Sequence, residues 1–119
     1  MARSQRLICG SAELLDAGRA VRCEVDYFGE RVPAFAVRHG GRGYGYLNRC
    51  AHMPMELDWR EGKVFDSEGR DLICSTHGST YAVTSGACLG GPCGSRPLVR
   101  LRIEELEGRI YYLGTDDDG

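Results

Sequence analysis

Two short cysteine–histidine motifs constrain this chain more than any other feature of its sequence. They are Cys50-x-His52 and Cys74-x-x-His77, and 21 residues separate His52 from Cys74. Each motif supplies one thiolate and one imidazole, and four such ligands can hold either a tetrahedral zinc ion or an iron–sulfur cluster. A zinc finger has both cysteines first and both histidines last. Two mixed motifs instead suit a centre with two different metal ends, the thiolates on one iron and the imidazoles on the other.

The size and composition of the chain limit its fold and its partners. Its 119 residues, 42% of them apolar, predict one domain with a modest core. A net charge of −2 argues against nucleic-acid binding, which needs a basic surplus on one face. No apolar run is long enough for a signal peptide or a membrane span, so we expect a cytoplasmic protein with no membrane partner. Cytosolic thiols stay reduced, so the six cysteines are interpreted first as ligands or buried small residues.

The hydrophobic pattern predicts short strands at both ends of the chain. Residues 21–27 alternate apolar and polar side chains with period two, as a half-buried strand does. One helical turn is predicted at 12–16, and Glu107-Gly108 is predicted as a hairpin turn. Because no long helix is available to connect parallel strands, we expect an all-β antiparallel fold. The predicted strands are 6–9, 21–27, 32–37, 44–47, 98–103 and 109–113.

The two motifs, together with a later glycine–proline loop, resemble the Rieske [2Fe–2S] proteins. The resemblance implies one Rieske-like antiparallel β-sandwich domain over 1–119, with basal strands at about 1–47 and 98–113. A small, loop-rich cluster-binding subdomain is expected at about 48–97, and its spacer of 21 residues is longer than the usual form. The cofactor implied is a Rieske-type [2Fe–2S] cluster. The residues that carry the resemblance are Cys50, His52, Cys74, His77, Gly78, Gly86, Cys88, Gly91 and Pro92.

The ligand set and its neighbours indicate where the reduction potential lies. A cluster with two thiolates is neutral when both irons are ferric, so it accepts an electron more readily than one with four thiolates; the general ranges are roughly −150 to +300 mV against about −400 mV. In the resembling high-potential proteins, a serine and a tyrosine at the positions of Ser79 and Tyr81 donate hydrogen bonds to the cluster, and Pro92 belongs to the third loop beside it. Their disulfide between the first two loops has no counterpart, since Met55 and Thr76 stand at its positions. We therefore expect an intermediate potential.

The resemblance implies an electron carrier and not an enzyme. A terminal oxygenase of this family adds a mononuclear iron held by two further histidines and a carboxylate, and only His39 is left here. The chain is similar to soluble Rieske-type ferredoxins. The partners implied are a flavin reductase as donor and an oxygenase or another reductase as acceptor. Three alternatives remain: a small subunit of a nitrite-reductase-type complex, a redox or iron–sulfur sensor, and a zinc-stabilised interaction module.

The remaining cysteines and the third histidine have plainer interpretations. Cys9 and Cys23 lie on predicted strands and are expected in the core. Cys88 and Cys93 flank the third loop and are interpreted first as small buried residues, next as a local disulfide and last as a further pair of metal ligands. His39 stands beside two glycines and is expected to be a solvated surface residue.

Overall fold

The computed structural model describes residues 6–16, 18–27, 29–49, 64–65, 69–74, 78–91 and 96–115. Over these residues the chain is all-β, as expected, with antiparallel strands and one short 3₁₀ helix at Ser11–Glu13. No helix in these ranges is long and apolar enough to cross a membrane. The strands are β1 Arg6–Gly10, β2 Val21–Tyr27, β3 Glu30–His39, β4 Arg42–Leu47, β5 Leu72–Ile73, β6 Thr80–Tyr81, β7 Cys88–Gly90, β8 Arg100–Leu106 and β9 Arg109–Thr115.

Six of these strands form a basal sheet in the order β1-β9-β8-β4-β3-β2. All six predicted strands are present, although β3 and β4 are longer than predicted and β8 begins at Arg100. The single helical turn predicted at 12–16 is present, but it is a 3₁₀ turn at Ser11–Glu13, and it ends earlier than predicted because the backbone of Leu14 is extended. The turn between β8 and β9 is confirmed. Glu107 and Gly108 both have positive φ, of 51° and 79°, as the two central residues of a type I′ hairpin turn require.

Strand β3 is buried on both of its faces. Ala34 and Ala36 are fully buried in the clusters within the basal sheet. Phe35 and Val37, also fully buried, belong to a second core cluster on the other face of β3, which includes Leu72 and Tyr81. The apolar run at 32–37 therefore fits a strand that has no solvent face.

The three remaining strands form a small antiparallel sheet in the order β5-β6-β7. Each has only two or three residues, which is too short to show an alternating pattern, and the sequence did not predict them. The small sheet packs on Phe35, Val37 and Tyr46 of the basal sheet through Leu72 and Tyr81. This shared core fixes the loops of the small sheet on the rigid basal sheet.

Arg38, near the end of β3, forms hydrogen bonds with several segments of the basal sheet. Its guanidinium donates two hydrogen bonds to the carboxylate of Glu105, at 3.1 and 2.8 Å. It also donates to the backbone carbonyls of Leu14, Gly41 and Ser11 at 2.9, 3.1 and 3.3 Å. A bidentate contact of this kind is stronger than a neutral hydrogen bond. Arg38 thus joins β3 to β8 and to the 3₁₀ helix.

Candidate metal centre

One of the four predicted cluster ligands, Cys74, lies within the described residues. Cys50, His52 and His77 lie outside them, and so does Pro92. Among the described residues alone, no three histidine, cysteine or acidic side chains come together as a metal site. The complete ligand set therefore stays a prediction, and Cys74 is the ligand whose surroundings can be described.

Cys74 follows β5 directly and is fully buried. Its backbone N–H donates to the carbonyl of Ser79 at 2.8 Å, and its own carbonyl accepts from the N–H of Gly78 at 2.7 Å. These two bonds close the base of a short loop between β5 and β6, and Gly78 completes the loop with a φ of +77°. The thiol of Cys74 is therefore held at the closed end of a tight loop, away from water.

The hydroxyl of Ser79 has no hydrogen-bond partner in the described part of the chain, although the residue is fully buried. Buried hydroxyl groups nearly always have a hydrogen-bond partner, because a buried hydroxyl without one costs about 1–3 kcal/mol of stability. Ser79 lies at the base of the Cys74 loop, since its carbonyl accepts the hydrogen bond from the Cys74 N–H. An unpaired donor on a residue that is hydrogen-bonded to Cys74 through the backbone fits an inorganic cluster, whose sulfur atoms accept hydrogen bonds. The predicted position of Ser79 next to the cofactor is consistent with this environment.

Tyr81 is fully buried on β6, where it pairs with Leu72 of β5. Its ring belongs to the same core cluster as Cys74. The ring therefore contributes to packing of the core. The predicted hydrogen bond from its hydroxyl to the cluster stays a prediction.

The third loop packs directly on the loop that holds Cys74. Gly91, after β7, has a φ of +90°, and a methyl group added to it would lie 2.8 Å from Ser79 Cα and 3.0 Å from the Gly78 carbonyl oxygen. Contacts this short leave no space for any side chain. The backbone of the third loop thus covers Gly78 and Ser79, as the glycine-rich sequence of the predicted cluster loops suggests.

The cysteines outside the predicted ligand set divide into two kinds. Cys9 is buried in the basal core, where burial raises the pKa of its thiol to about 11, and half-buried Cys23 packs against that core. Both positions agree with the prediction for strand cysteines. Cys88, at the start of β7, is in a disulfide, which is the alternative kept for it and not the first interpretation. Its partner lies outside the described residues, so the pairing with Cys93 stays a prediction.

The prediction of a solvated His39 is wrong. The side chain is half-buried at the end of β3, and its ring stacks on Phe65 with 6.1 Å between centroids and 21° between planes. Phe65 belongs to the spacer between the two motifs and forms an isolated bridge with Leu72. The spacer therefore covers His39, a long-range contact that the local sequence does not indicate.

Tyr46 connects the basal sheet to the small sheet, a role that its sequence pattern does not predict. Its buried hydroxyl donates to the carbonyl of Val83 at 2.5 Å, in the turn between β6 and β7. Gly86 of the same turn lies against the ring, so that a methyl group there would be 2.7 Å from Tyr46 Cε1. A tyrosine within a predicted strand could have indicated this contact, because the hydroxyl of a buried tyrosine usually needs a hydrogen-bond partner.

Comparisons with known proteins agree with this architecture. The family model for the Rieske [2Fe–2S] domain matches residues 5–106, while no curated protein matches the chain. One similar structure is a complex of reduced oxygenase and oxidized ferredoxin in carbazole 1,9a-dioxygenase, with a TM-score of 0.72 and 22% identity over 95% of each chain. Another is the ferredoxin of carbazole 1,9a-dioxygenase from Nocardioides aromaticivorans IC177, with a TM-score of 0.70 and 22% identity over 92% of this chain and 97% of that one. A third, a carbazole-bound oxygenase variant in complex with ferredoxin, gives a TM-score of 0.71 and 17% identity over 92% of this chain and 28% of the other. At these identities the matches establish a shared fold.

Proposed function

The chain belongs to the Rieske [2Fe–2S] domain family, and from that premise we propose that it is a one-electron carrier without a catalytic site of its own. The family cofactor, a Rieske-type [2Fe–2S] cluster, supplies reversible one-electron chemistry at a higher potential than an all-cysteine cluster does. The observation that carries the proposal is the family match over residues 5–106. Similarity in fold to a ferredoxin over nearly the whole length of both chains supports it.

The residues proposed to hold the cluster are Cys50 and Cys74 on one iron and His52 and His77 on the other. Support comes from Cys74, whose thiol is fully buried at the base of a loop closed by two backbone hydrogen bonds. The loop holds the thiol at a position that is closed to water. Ser79 supports the same position because its buried hydroxyl has no partner among the described residues.

The proposal does not include a mononuclear iron site. The mononuclear iron of a terminal oxygenase needs two histidines and a carboxylate. His39 is the one histidine outside the two motifs, and its ring is packed on Phe65. One histidine cannot supply the two imidazole ligands that such a site needs. This favours a carrier over an oxygenase.

We further propose that a flavin reductase reduces this protein and that an oxygenase, or another reductase, oxidises it. The similar ferredoxins belong to carbazole 1,9a-dioxygenase, which supports an oxygenase as acceptor. The remaining parts of the proposal are a location in the cytoplasm, a basal region at about 1–47 and 98–113, and a cluster-binding subdomain at about 48–97.

The test is a reductive titration of anaerobically purified protein, followed by EPR. We expect uptake of one electron per cluster, reversible over repeated cycles. Cys74→Ser should abolish the signal, whereas Cys23→Ser, which changes a half-buried cysteine on β2, should keep it. A full signal in Cys74→Ser would contradict the ligand assignment, and irreversible reduction of the unchanged protein would contradict the carrier role.

A further inference from the structure

Cys88 is the one cysteine among the described residues that forms a disulfide. Its partner is therefore one of the two cysteines outside the described residues, and because Cys50 is a proposed cluster ligand, Cys93 is the expected partner. A disulfide is unusual in a protein proposed to be cytoplasmic, because the cytosol keeps thiols reduced. The disulfides that do occur there are usually transient and act in catalysis or in redox sensing.

The position of this disulfide connects it to the loop that holds Cys74. Cys88 is half-buried and packs against the core cluster that contains Cys74. Gly91 follows shortly after it, and a methyl group added there would lie 2.8 Å from Ser79 Cα. Gly91 therefore lies inside the short ring that a bond from Cys88 to Cys93 closes. The disulfide thus constrains the same backbone that covers the Cys74 loop.

Few other contacts constrain the third loop within the described part of the chain. Strand β7 has three residues, and its ladder with β6 consists of two residue pairs with an irregularity between them. Leu89, the middle residue of β7, is 55% exposed and contributes little to the packing. Strands this short have little stability of their own. The position of Gly91 against Ser79 therefore depends strongly on the disulfide.

We propose that the disulfide of Cys88 is a redox switch that a cytosolic dithiol opens, which releases the third loop from the Cys74 loop. A thiolate of the dithiol attacks one sulfur, breaks the S–S bond and forms a mixed disulfide. The second thiol of the donor then displaces the protein thiol from this mixed disulfide. Two electrons and two protons pass to the protein, whose two cysteines become thiols, and the donor becomes a disulfide. A disulfide oxidant closes the switch by the reverse exchange.

The switch would regulate the cofactor site, and this part of the inference rests on the proposed function. With the disulfide closed, Gly91 covers Gly78 and Ser79 at the base of the Cys74 loop. With the disulfide open, water and solutes reach this loop more readily. The cluster should then lose iron to a chelator about tenfold faster, because local opening of a protein controls such access.

The test compares the anaerobic holoprotein with and without dithiothreitol by mass spectrometry. Alkylation should detect two additional thiols after treatment. The amides of 78–91 should then exchange hydrogen about tenfold faster, and the amides of 100–115 in β8 and β9 at an unchanged rate. Unchanged exchange at 78–91 after release of both thiols would overturn the proposal, and so would a disulfide that dithiothreitol does not reduce in the folded protein.

Peptide mapping and two variants assign the effect to this bond. The mapping should join Cys88 to Cys93, and a bond to Cys50 would overturn both the switch and the ligand assignment. Cys88→Ser should exchange rapidly at 78–91 without dithiothreitol and should not respond to it. Cys23→Ser, which changes a cysteine that is not in a disulfide, should respond as the unchanged protein does. An equal response in both variants would refute the assignment to Cys88.

Iron release separates failure of the switch from failure of the proposed function. A sample that has the EPR signal of the cluster and loses iron at the same rate with and without dithiothreitol would overturn the switch and leave the carrier role intact. A sample without a cluster would contradict the proposed function. Hydrogen exchange of the same sample would still decide whether the disulfide constrains the third loop.

Discussion

The hydroxyl of Ser79 links the packing of single residues to the proposed cofactor. It is buried and unpaired among the described residues, and the carbonyl of the same residue accepts the hydrogen bond that closes the Cys74 loop. A donor to the sulfur of a cluster binds more strongly to the reduced form, which carries one more negative charge. The cost of an unpaired hydroxyl would then be recovered when the cluster binds. This reasoning predicts opposite effects of one substitution with and without the cofactor.

Ser79→Ala should lower the reduction potential, because it removes a hydrogen bond that favours the reduced cluster. One such bond corresponds to a decrease of about 40 mV, since about 1 kcal/mol of hydrogen bonding is about 40 mV for one electron. Protein-film voltammetry measures the shift. Ser85→Ala removes an exposed turn hydroxyl and should leave the potential unchanged. Equal potentials for Ser79→Ala and the unchanged protein would refute the hydrogen bond.

Without the cofactor the same substitution should not destabilise the fold. The apo-protein gains about 1 kcal/mol or changes little, because replacing an unpaired buried hydroxyl by a hydrogen removes a desolvation cost. Urea unfolding of the apo-proteins gives the difference. A clear loss of stability in apo Ser79→Ala would mean that the hydroxyl has a protein partner after all.

At the scale of elements, contacts between the loops stabilise the small sheet. Strands of two or three residues have little stability of their own, so the loops must support one another. Gly91 of the third loop lies against Ser79 of the second, and the disulfide of Cys88 begins the third loop. The turn after β6 is held in turn by Tyr46 of the basal sheet.

Gly91→Ala should displace the third loop. The added methyl group would lie 2.8 Å from Ser79 Cα at a φ of +90°, which combines a collision with backbone strain. A loss of about 1–3 kcal/mol in unfolding free energy and an altered EPR line shape are expected. Gly40→Ala is the matched control, because Gly40 also has positive φ but no atom lies within 4 Å of an added methyl group. The account fails if both variants give the EPR spectrum of the unchanged protein and lose the same stability.

Strands long enough to show an alternating pattern could be predicted from the sequence. Strands of two or three residues, which depend on contacts with distant residues, could not. The alternation at 21–27 predicted β2 to the residue, and the turn residues Glu107 and Gly108 placed the β8–β9 hairpin. The small sheet was missed because its strands are shorter than any readable period. His39 was misplaced because Phe65, distant in sequence, covers it. The ligand motifs were recognisable because their residues lie close together in the sequence.

For the whole molecule, the contact between Arg38 and Glu105 makes stability depend on pH. The hydrogen bonds from Arg38 hold the pKa of Glu105 below its ordinary value. A carboxylate with a lowered folded pKa stabilises the fold above the unfolded pKa near 4.3, and this contribution disappears as the pH falls through the folded value. The contact should therefore be at full strength at neutral pH and be lost in acid.

Glu105→Gln should flatten this acid dependence. The variant is less stable than the unchanged protein at neutral pH, and the difference narrows as the pH falls below about 4, where the unchanged protein also loses its carboxylate. Thermal unfolding over a pH series measures the difference. Glu107→Gln, in the exposed β8–β9 turn, should follow the unchanged protein at every pH. A difference for Glu105→Gln that stays constant with pH would rule out the carboxylate as the cause.

The central claim is that cysteine and histidine ligands from two motifs hold one [2Fe–2S] cluster in this chain. Pulsed EPR of the reduced protein, with iron, sulfide and zinc analysis of the same sample, tests it most directly. The account predicts iron and acid-labile sulfide in equal amounts and a cluster signal coupled to the nitrogens of two imidazoles. A cluster signal without nitrogen coupling, or a colourless protein containing zinc, would contradict it.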